Sequence, residues 1–277
     1  RSLVGSEMCI RDSSYATQIQ DQDGNVVTTG SDATAIVTLT PTGATLTGTR
    51  SKASSSGTAS FTGLVMTGVV GSKTITASTA TFTSAPYAVT LNAGAATKLV
   101  VTTSATGAVN RVAFGTQPAI TVQDSSGNTV SSYTTDVTVS STPVDGSANA
   151  TVTGTLSRTP STGIATFTNL RLEGKVGQHD LTFSSGSLSS ATQRVNLTHG
   201  AVSAVVLTGA TTASNARTFD SSVTVEIQDA DANRVTTGTA ASQSIVMTAT
   251  GATISGTTTR SASSGIATFN DLVLTGS

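Results

Sequence analysis

The sequence predicts an all-β chain built of tandem β-sandwich domains, and three observations carry that expectation. Thr, Val, Ser, Ala and Gly fill most of its 277 residues, with 10% charged, 4% aromatic and no Trp. Branching at Cβ stiffens Thr and Val and suits them to a pleated surface. Apolar residues alternate with Thr and Ser in short runs, the signature of half-buried antiparallel strands. A twelve-residue phrase is also written three times, at the spacing of whole domains.

That phrase reads GTASFTGLVMTG at residues 57–68, GIATFTNLRLEG at 163–174 and GIATFNDLVLTG at 265–276, so the copies lie 106 and 102 residues apart. A second anchor, QDQDGNVV at 20–27, returns as QDSSGNTV at 123–130 and QDADANRV at 228–235, at offsets of 103 and 105. Solenoid repeats run at roughly 20–50 residues and cannot fold singly. A period near 100 residues is the size of a β-sandwich domain. The expected domains are residues 13–96, 97–200 and 201–277. Only the middle one carries the full pattern, from TKLVVT onward. Repeat 1 is expected to lack its first strand. Repeat 3 is expected to stop before the counterparts of HDLTFSS and RVNLTHG, which makes the chain a fragment of a longer array.

Residues 1–12, RSLVGSEMCIRD, lack the Thr-rich texture and hold the single cysteine, Cys9. Gly5, Ser6 and Glu7 interrupt any apolar core of a secretion signal. The string resembles the translation of sequencing-adapter DNA from assembled environmental reads and is expected to be a non-native artefact. An internal disulfide is excluded by the lone Cys9.

Within a repeat the elements follow in order. Val223, Val225 and Ile227 alternate with Thr224 and Glu226 before the Gln-Asp anchor, as Ile120 and Val122 flank Thr121. Val37 and Leu39, Val137 and Val139, and Ile245 and Met247 form the next inward pairs; Leu46, Val152 and Ile254 follow in matching places. No segment shows a convincing helical period. In the repeated phrase, Phe61, Phe167 and Phe269 recur at one position and are the expected core anchors. Gly63, Asn169 and Asp271 then share a kink, and these residue types tolerate left-handed backbone best.

TVQDSSGNTV, STGIATFTNLRLEGKVGQHDLTFSSG and the junction VNLTHGAVSAVVLTG resemble tandem bacterial immunoglobulin-like domains of the invasin/intimin-like (Big) kind. The likeness covers residues 13–277. It implies Greek-key β-sandwiches strung head to tail at the cell surface or outside the cell. It also implies neighbouring repeats as the direct partners, with host or surface glycans bound through distal domains.

Other classes are excluded on composition or left as alternatives. Net charge is −1, and fourteen basic residues are scattered singly, so no stripe exists to neutralise nucleic-acid phosphates. No apolar run reaches the roughly 20 residues of a membrane helix, so no membrane insertion is expected in this segment. Asp21–Asn25 and Asp229–Asn233 place side-chain oxygens at alternate positions, as calcium loops do. Yet no Glu closes either loop and the middle copy has Ser125-Ser126, which favours β-turns capped by Asp and Asn with Gly24 and Gly127 at positive φ. Lys52, Arg158 and Arg260 share one repeat position, as solvated charges or, less simply, contacts to an anionic glycan or neighbouring domain. His179 and His199 are solitary and expected at the surface. With no G-x-S-x-G, H-E-x-x-H or phosphate loop, the sequence predicts no catalytic, cofactor or metal residues and no enzyme. The expected role is a structural stalk or spacer, in an adhesin or a similar surface protein. The alternatives are a carbohydrate- or calcium-dependent binding module, or a phage fibre segment.

Overall fold

The computed structural model describes residues 2–5, 15–144, 146, 149–210 and 212–276. Most of the 1–12 segment, Cys9 included, lies outside the described residues. The chain divides into two compact units, residues 1–97 with 123–131, and residues 98–122 with 132–277. The first holds repeat 1 and one turn of repeat 2. The second holds the remainder of repeat 2 and repeat 3.

Repeat 1 comprises β1 (Ser2–Gly5), β2 (Tyr15–Gln20), β3 (Ile36–Thr42), β4 (Thr45–Thr47), β5 (Ser51–Ala53), β6 (Thr58–Phe61), β7 (Val65–Thr67), β8 (Gly71–Ser78) and β9 (Tyr87–Leu91). One sheet has the order β1-β2-β6, the other β5-β3-β8-β9, and β4-β7 form a ribbon between them in sequence. Repeat 2 repeats this plan with β10 (Lys98–Thr103), β11 (Ala119–Gln123), β12 (Val137–Pro143), β13 (Ala150–Thr153), β14 (Ser157–Arg158), β15 (Ile164–Thr166), β16 (Arg171–Gly174), β17 (Gly177–Ser184) and β18 (Ala191–Leu197). Its sheets are β10-β11-β15 and β14-β12-β17-β18, with ribbon β13-β16. In repeat 3 the strands are β19 (Val202–Thr208), β20 (Arg217–Thr218), β21 (Val223–Asp229), β22 (Ser244–Val246), β23 (Thr253–Ser255), β24 (Thr259–Ser261), β25 (Ile266–Phe269) and β26 (Val273–Thr275). They pair as β19-β21-β25, β20-β26-β23 and β22-β24.

Strand alternation decides what each sheet buries. β21 turns Val223, Val225, Ile227 and Asp229 inward and leaves the residues between half-buried. Phe61, Phe167 and Phe269 are 1%, 0% and 1% exposed, which makes them the plugs of their cores. Phe167 meets Phe183 of the facing sheet with ring centroids 5.4 Å apart. Burying such a ring stabilises a repeat by about 2–3 kcal/mol.

The repeated phrase opens on a feature its side chains conceal. Ser56 and Gly57, Thr162 and Gly163, and Ser264 and Gly265 all have positive φ, between 46° and 81°. Two consecutive left-handed residues make a tight hairpin turn whose twist matches that of the flanking strands. A Cβ on Gly265 would lie 2.3 Å from the Val235 carbonyl oxygen, so the glycine is also required by close approach. The kink later in the phrase is left-handed at Gly63 (φ 65°) and Asn169 (φ 58°), but Asp271 is not among the positive-φ residues. There the Asp271 carboxylate instead accepts the Thr257 N–H at 3.2 Å, holding the corner by side chain.

Residues of the 1–12 segment lie beside repeat 1: β1 pairs antiparallel with β2, from Ser2 opposite Gln20 to Gly5 opposite Thr17. An edge strand offers unpaired N–H and C=O groups that accept an extended segment with little regard to its sequence. His179 is fully buried rather than at the surface. In β17 it shares the inward face with Leu181 and Phe183, and its Nε2 lies 3.2 Å from the Lys175 carbonyl oxygen.

Candidate functional site: a polar clasp at the repeat joint

The Gln-Asp anchor builds the same turn three times. The Oδ1 of Asp21, Asp124 and Asp229 accepts the N–H groups two and four residues on, at 2.8–3.0 Å. The Asp N–H in turn donates to the carbonyl of Asn25, Asn128 or Asn233 at 2.9 Å. Gly24 and Gly127 take positive φ in this turn, and in the third copy Ala232 does so at 55°. Such a conformation costs an alanine about 1–2 kcal/mol, so other contacts must hold it.

Those contacts lie at the joint between repeats 2 and 3, inside the second unit. Asn233 Nδ2 donates to the Gly174 carbonyl at 2.8 Å, and Asn233 Oδ1 accepts the Val176 N–H at 3.0 Å. Asp229 Oδ2 accepts the linker N–H of Gly200 at 2.8 Å. Asn110 Nδ2 sits between two carboxylates, 2.9 Å from Asp229 Oδ2 and 2.7 Å from Asp231 Oδ2. The Asn110 Oδ1 accepts the Gly174 N–H at 3.0 Å, which ties this side chain into the receiving loop. Arg111 grips Asp231 with two bonds of 2.7 and 2.8 Å, and Lys175 Nζ donates to the carbonyls of Asp231 and Ala232 at 2.7 and 3.0 Å. Asn110, Asp229 and Asn233 are at most 4% exposed, so these bonds replace water outright. Gly174 has φ of 141°, and a Cβ there would fall 2.2 Å from the Asn149 carbonyl oxygen.

The first unit contains the same group set. Asn128 Nδ2 donates to the Gly68 carbonyl at 2.9 Å, its Oδ1 accepts the Val70 N–H at 3.0 Å, and Asp124 Oδ2 accepts the Gly94 N–H at 2.9 Å. Ser126 stands where Asp231 stands in the other copy. Among the described residues, the turn of repeat 1 shows its internal bonds and no docking bond. Asn25 is exposed and its Nδ2 lies 3.3 Å from Asp21 Oδ2.

These bonds set the charge state. Burial pushes the Asp229 carboxyl up, but donors from Gly200, Asn110 and Asn233 outweigh it and hold the pKa at about 2. The Arg111 bond holds Asp231 below the usual carboxylate range. Burial likewise pushes the Asp124 carboxyl up, and donors from Asn128 and Gly94 outweigh it and leave the pKa below the ordinary value. The Asn110 amide thus lies between the Asp229 and Asp231 carboxylates, and the Arg111 guanidinium pairs with Asp231. Among the described residues no group of three or more His, Cys, Asp or Glu is placed to hold a metal.

The repeated basic position serves its own repeat. Lys52 Nζ donates to the Ser60 carbonyl at 2.8 Å and Arg158 Nε to the Thr166 carbonyl at 2.9 Å, tying β5 to β6 and β14 to β15. Arg260 Nη2 reaches Asn270 Oδ1 at 3.1 Å. His199 lies in the linker, its Nδ1 3.0 Å from the Gly200 carbonyl oxygen and its Nε2 2.8 Å from Thr237 Oγ1. Sequence reading missed Asn110, Arg111, Lys175 and the linker glycines. One signal was available: Asn110 and Asn215 both stand 13 residues before the anchoring glutamines, Gln123 and Gln228.

Fold and joints together define a tandem series of immunoglobulin-like β-sandwiches. No family model and no curated protein matches the chain. Among solved structures, the Escherichia coli adhesin FdeC is similar over 100% of this chain and 88% of its own, at 17% identity and a TM-score of 0.42. A β-glucuronidase from Parabacteroides merdae aligns over 58% of this chain and 21% of its own, at 12% identity and a TM-score of 0.29. The surface layer protein SbsC, domains 4–9, aligns over 95% and 39%, at 16% identity and a TM-score of 0.28. At this level the likenesses assign no activity and no ligand.

Proposed function

We propose that the chain is a non-enzymatic spacer segment of a bacterial cell-surface or secreted repeat protein, of the kind that holds adhesive domains away from the surface. The observation that supports this reading is the recurring clasp. Side chains that could have been left to solvent are instead buried and spent on fixing the end of one repeat to the start of the next. A joint held by this many hydrogen bonds, several of them charge-assisted, resists bending. Transmitting position and force is the work such a joint suits.

The test is the rigidity of the repeat 2–3 joint in the full chain. Residual dipolar couplings from the two repeats are expected to fit one alignment tensor, and to need two in the Asp229→Ala variant. Independent tumbling in the unaltered chain would overturn the spacer reading. Sequencing the encoding DNA outward from both ends tests the location. Further repeats with a secretion signal are expected, and a cytoplasmic enzyme in the same reading frame would refute the surface assignment.

A further inference from the structure

Both histidines of the chain flank the joint between repeats 2 and 3, and the matching places of repeat 1 hold none. Aligning Leu197-Thr198-His199-Gly200 with Leu91-Asn92-Ala93-Gly94 sets Ala93 in the place of His199. Aligning Gly174–His179 with Gly68–Lys73 sets Lys73 in the place of His179. The clasp of the first unit otherwise repeats the same bonds, Gly94 to Asp124 and Val70 to Asn128.

The bonds around each ring suit its neutral form. A carbonyl only accepts, so His199 Nδ1 carries the proton that it donates to Gly200 at 3.0 Å. A main-chain N–H only donates, so His199 Nε2 is bare and accepts from Thr237 at 3.2 Å, with the Thr237 hydroxyl at 2.8 Å. The ring thereby ties the linker to repeat 3 just beyond the Asp229–Asn233 turn. On the other side, His179 Nε2 donates to the Lys175 carbonyl at 3.2 Å, and its buried Nδ1 has no partner among the described residues. Lys175 and Val176 form the loop that receives the turn. A second proton would set an N–H against the Thr237 N–H at one ring and strand a buried donor at the other.

Among the described residues no carboxylate bonds to either imidazole to offset that loss. Around His199, Asp229 accepts from Gly200, Asn110 and Asn233, Asp231 accepts from Arg111, and Lys175 Nζ is turned to main-chain carbonyls. Around His179, Asp180 pairs with Arg194, and Glu173 with Arg171 and Arg111, while the cross-strand neighbours are Pro143 and Val195. Asp145 lies outside the described residues.

We propose that the joint between repeats 2 and 3 is a hinge released in mild acid by protonation of His199 and His179, while the clasp of the first unit stays closed. The inference rests on the clasp reading of both. Histidine is the side chain that ordinarily changes charge between pH 5 and 8. The opened joint takes up protons that the closed one refuses, so closure weakens as pH falls. Asp229, with a pKa of about 2, stays ionised through this range, so the histidines act apart from it. Below an imidazole's ordinary midpoint near about 6.5, each proton taken up only on opening multiplies the opening equilibrium about tenfold per pH unit.

Native-state hydrogen exchange of the 277-residue chain at about pH 7.5 and about pH 5, corrected for intrinsic chemistry, tests it. The Gly200 and Val176 amides, bonded to Asp229 and Asn233, are expected to lose at least about tenfold in protection at the lower pH. Their matches Gly94 and Val70 should keep theirs, a contrast that needs no variant to fold. His199→Gln keeps an acceptor for Thr237 and His179→Gln a donor for Lys175, so each should lessen the loss and the pair should abolish it. Unchanged protection at Gly200 and Val176, equal loss at Gly94 and Val70, or a loss that survives the double substitution overturns the hinge. Equal loss at Phe183 in β17 overturns it too, because repeat 2 would then be melting as a whole. Protection already absent at pH 7.5 would overturn the clasp reading itself, whereas full protection at both pH values leaves that reading standing.

Discussion

Replacing Asn233 with alanine isolates what the clasp is worth. The side chain donates to the Gly174 carbonyl, accepts from the Val176 N–H and donates to the Asp229 carboxylate. Each neutral bond contributes about 1 kcal/mol net and the charge-assisted one about 1.5–3 kcal/mol. Water can reach the half-buried Gly174 and the exposed Val176 once the joint opens, which recovers part of this. The expected loss is about 3 kcal/mol, or about a hundredfold in the opening equilibrium. Native-state hydrogen exchange at the Val176 amide reads that opening directly, because its N–H is bonded to the Asn233 side chain and Val176 lies between β16 and β17. Asn25→Ala is the control. The same residue in the turn of repeat 1 is exposed and, among the described residues, has one long side-chain bond at 3.3 Å, so its loss should be below about 1 kcal/mol. Equal effects at both positions, or unchanged exchange at Val176, would refute the idea that the asparagine acts across the joint.

Acid should open the same joint. The Asp229 pKa is depressed from 3.8 to about 2, so its stabilisation is fully present above the unfolded value and is lost as pH falls from about 5 towards 2. For this 3%-exposed group the shift corresponds to about 2 kcal/mol, and a pH-independent Val176 exchange rate, after correction for intrinsic chemistry, would contradict it. Gly174→Ala should cost about 2–4 kcal/mol, since its Cβ would meet Asn149 O at 2.2 Å and Ala150 Cα at 2.7 Å on a left-handed backbone; the thermal midpoint measures this. Phe167→Ala should cost about 3–5 kcal/mol by denaturant titration, a loss from the core that leaves the surviving folded joint closed. Melts with calcium and with chelator are expected to coincide, and a shift of several degrees with calcium would show that the acidic turns take a metal after all.

Much of this architecture was legible in the sequence because its causes are local or periodic. Alternation marked Val223, Val225 and Ile227 as inward, and recurrence marked the three phenylalanines. The Asp-to-Asn turns were legible for the same reason, since an Asp that accepts N–H groups two and four residues on is a short-range motif. What those turns dock against was not. Gly174 and Val176 contribute backbone groups, which have no side-chain signature, and Asn110 lies 119 residues from the Asp229 it bonds. His179 was misplaced because a single histidine gives no period of its own; its inward neighbours Leu181 and Phe183 held the information. The pairing of residues 2–5 with β2 escaped because edge pairing asks so little of sequence.

The receiving side of each joint is mostly main chain. A turn with Asp and Asn reads a carbonyl and two N–H groups that any repeat with the right glycines offers, whatever its other residues. Duplicating a repeat therefore creates a working junction at once, with no second mutation needed to match it. The Asn110, Arg111 and Lys175 contacts can be gained afterwards, one junction at a time. An array made this way can lengthen or shorten by recombination between copies, and its length becomes a trait that selection can tune quickly.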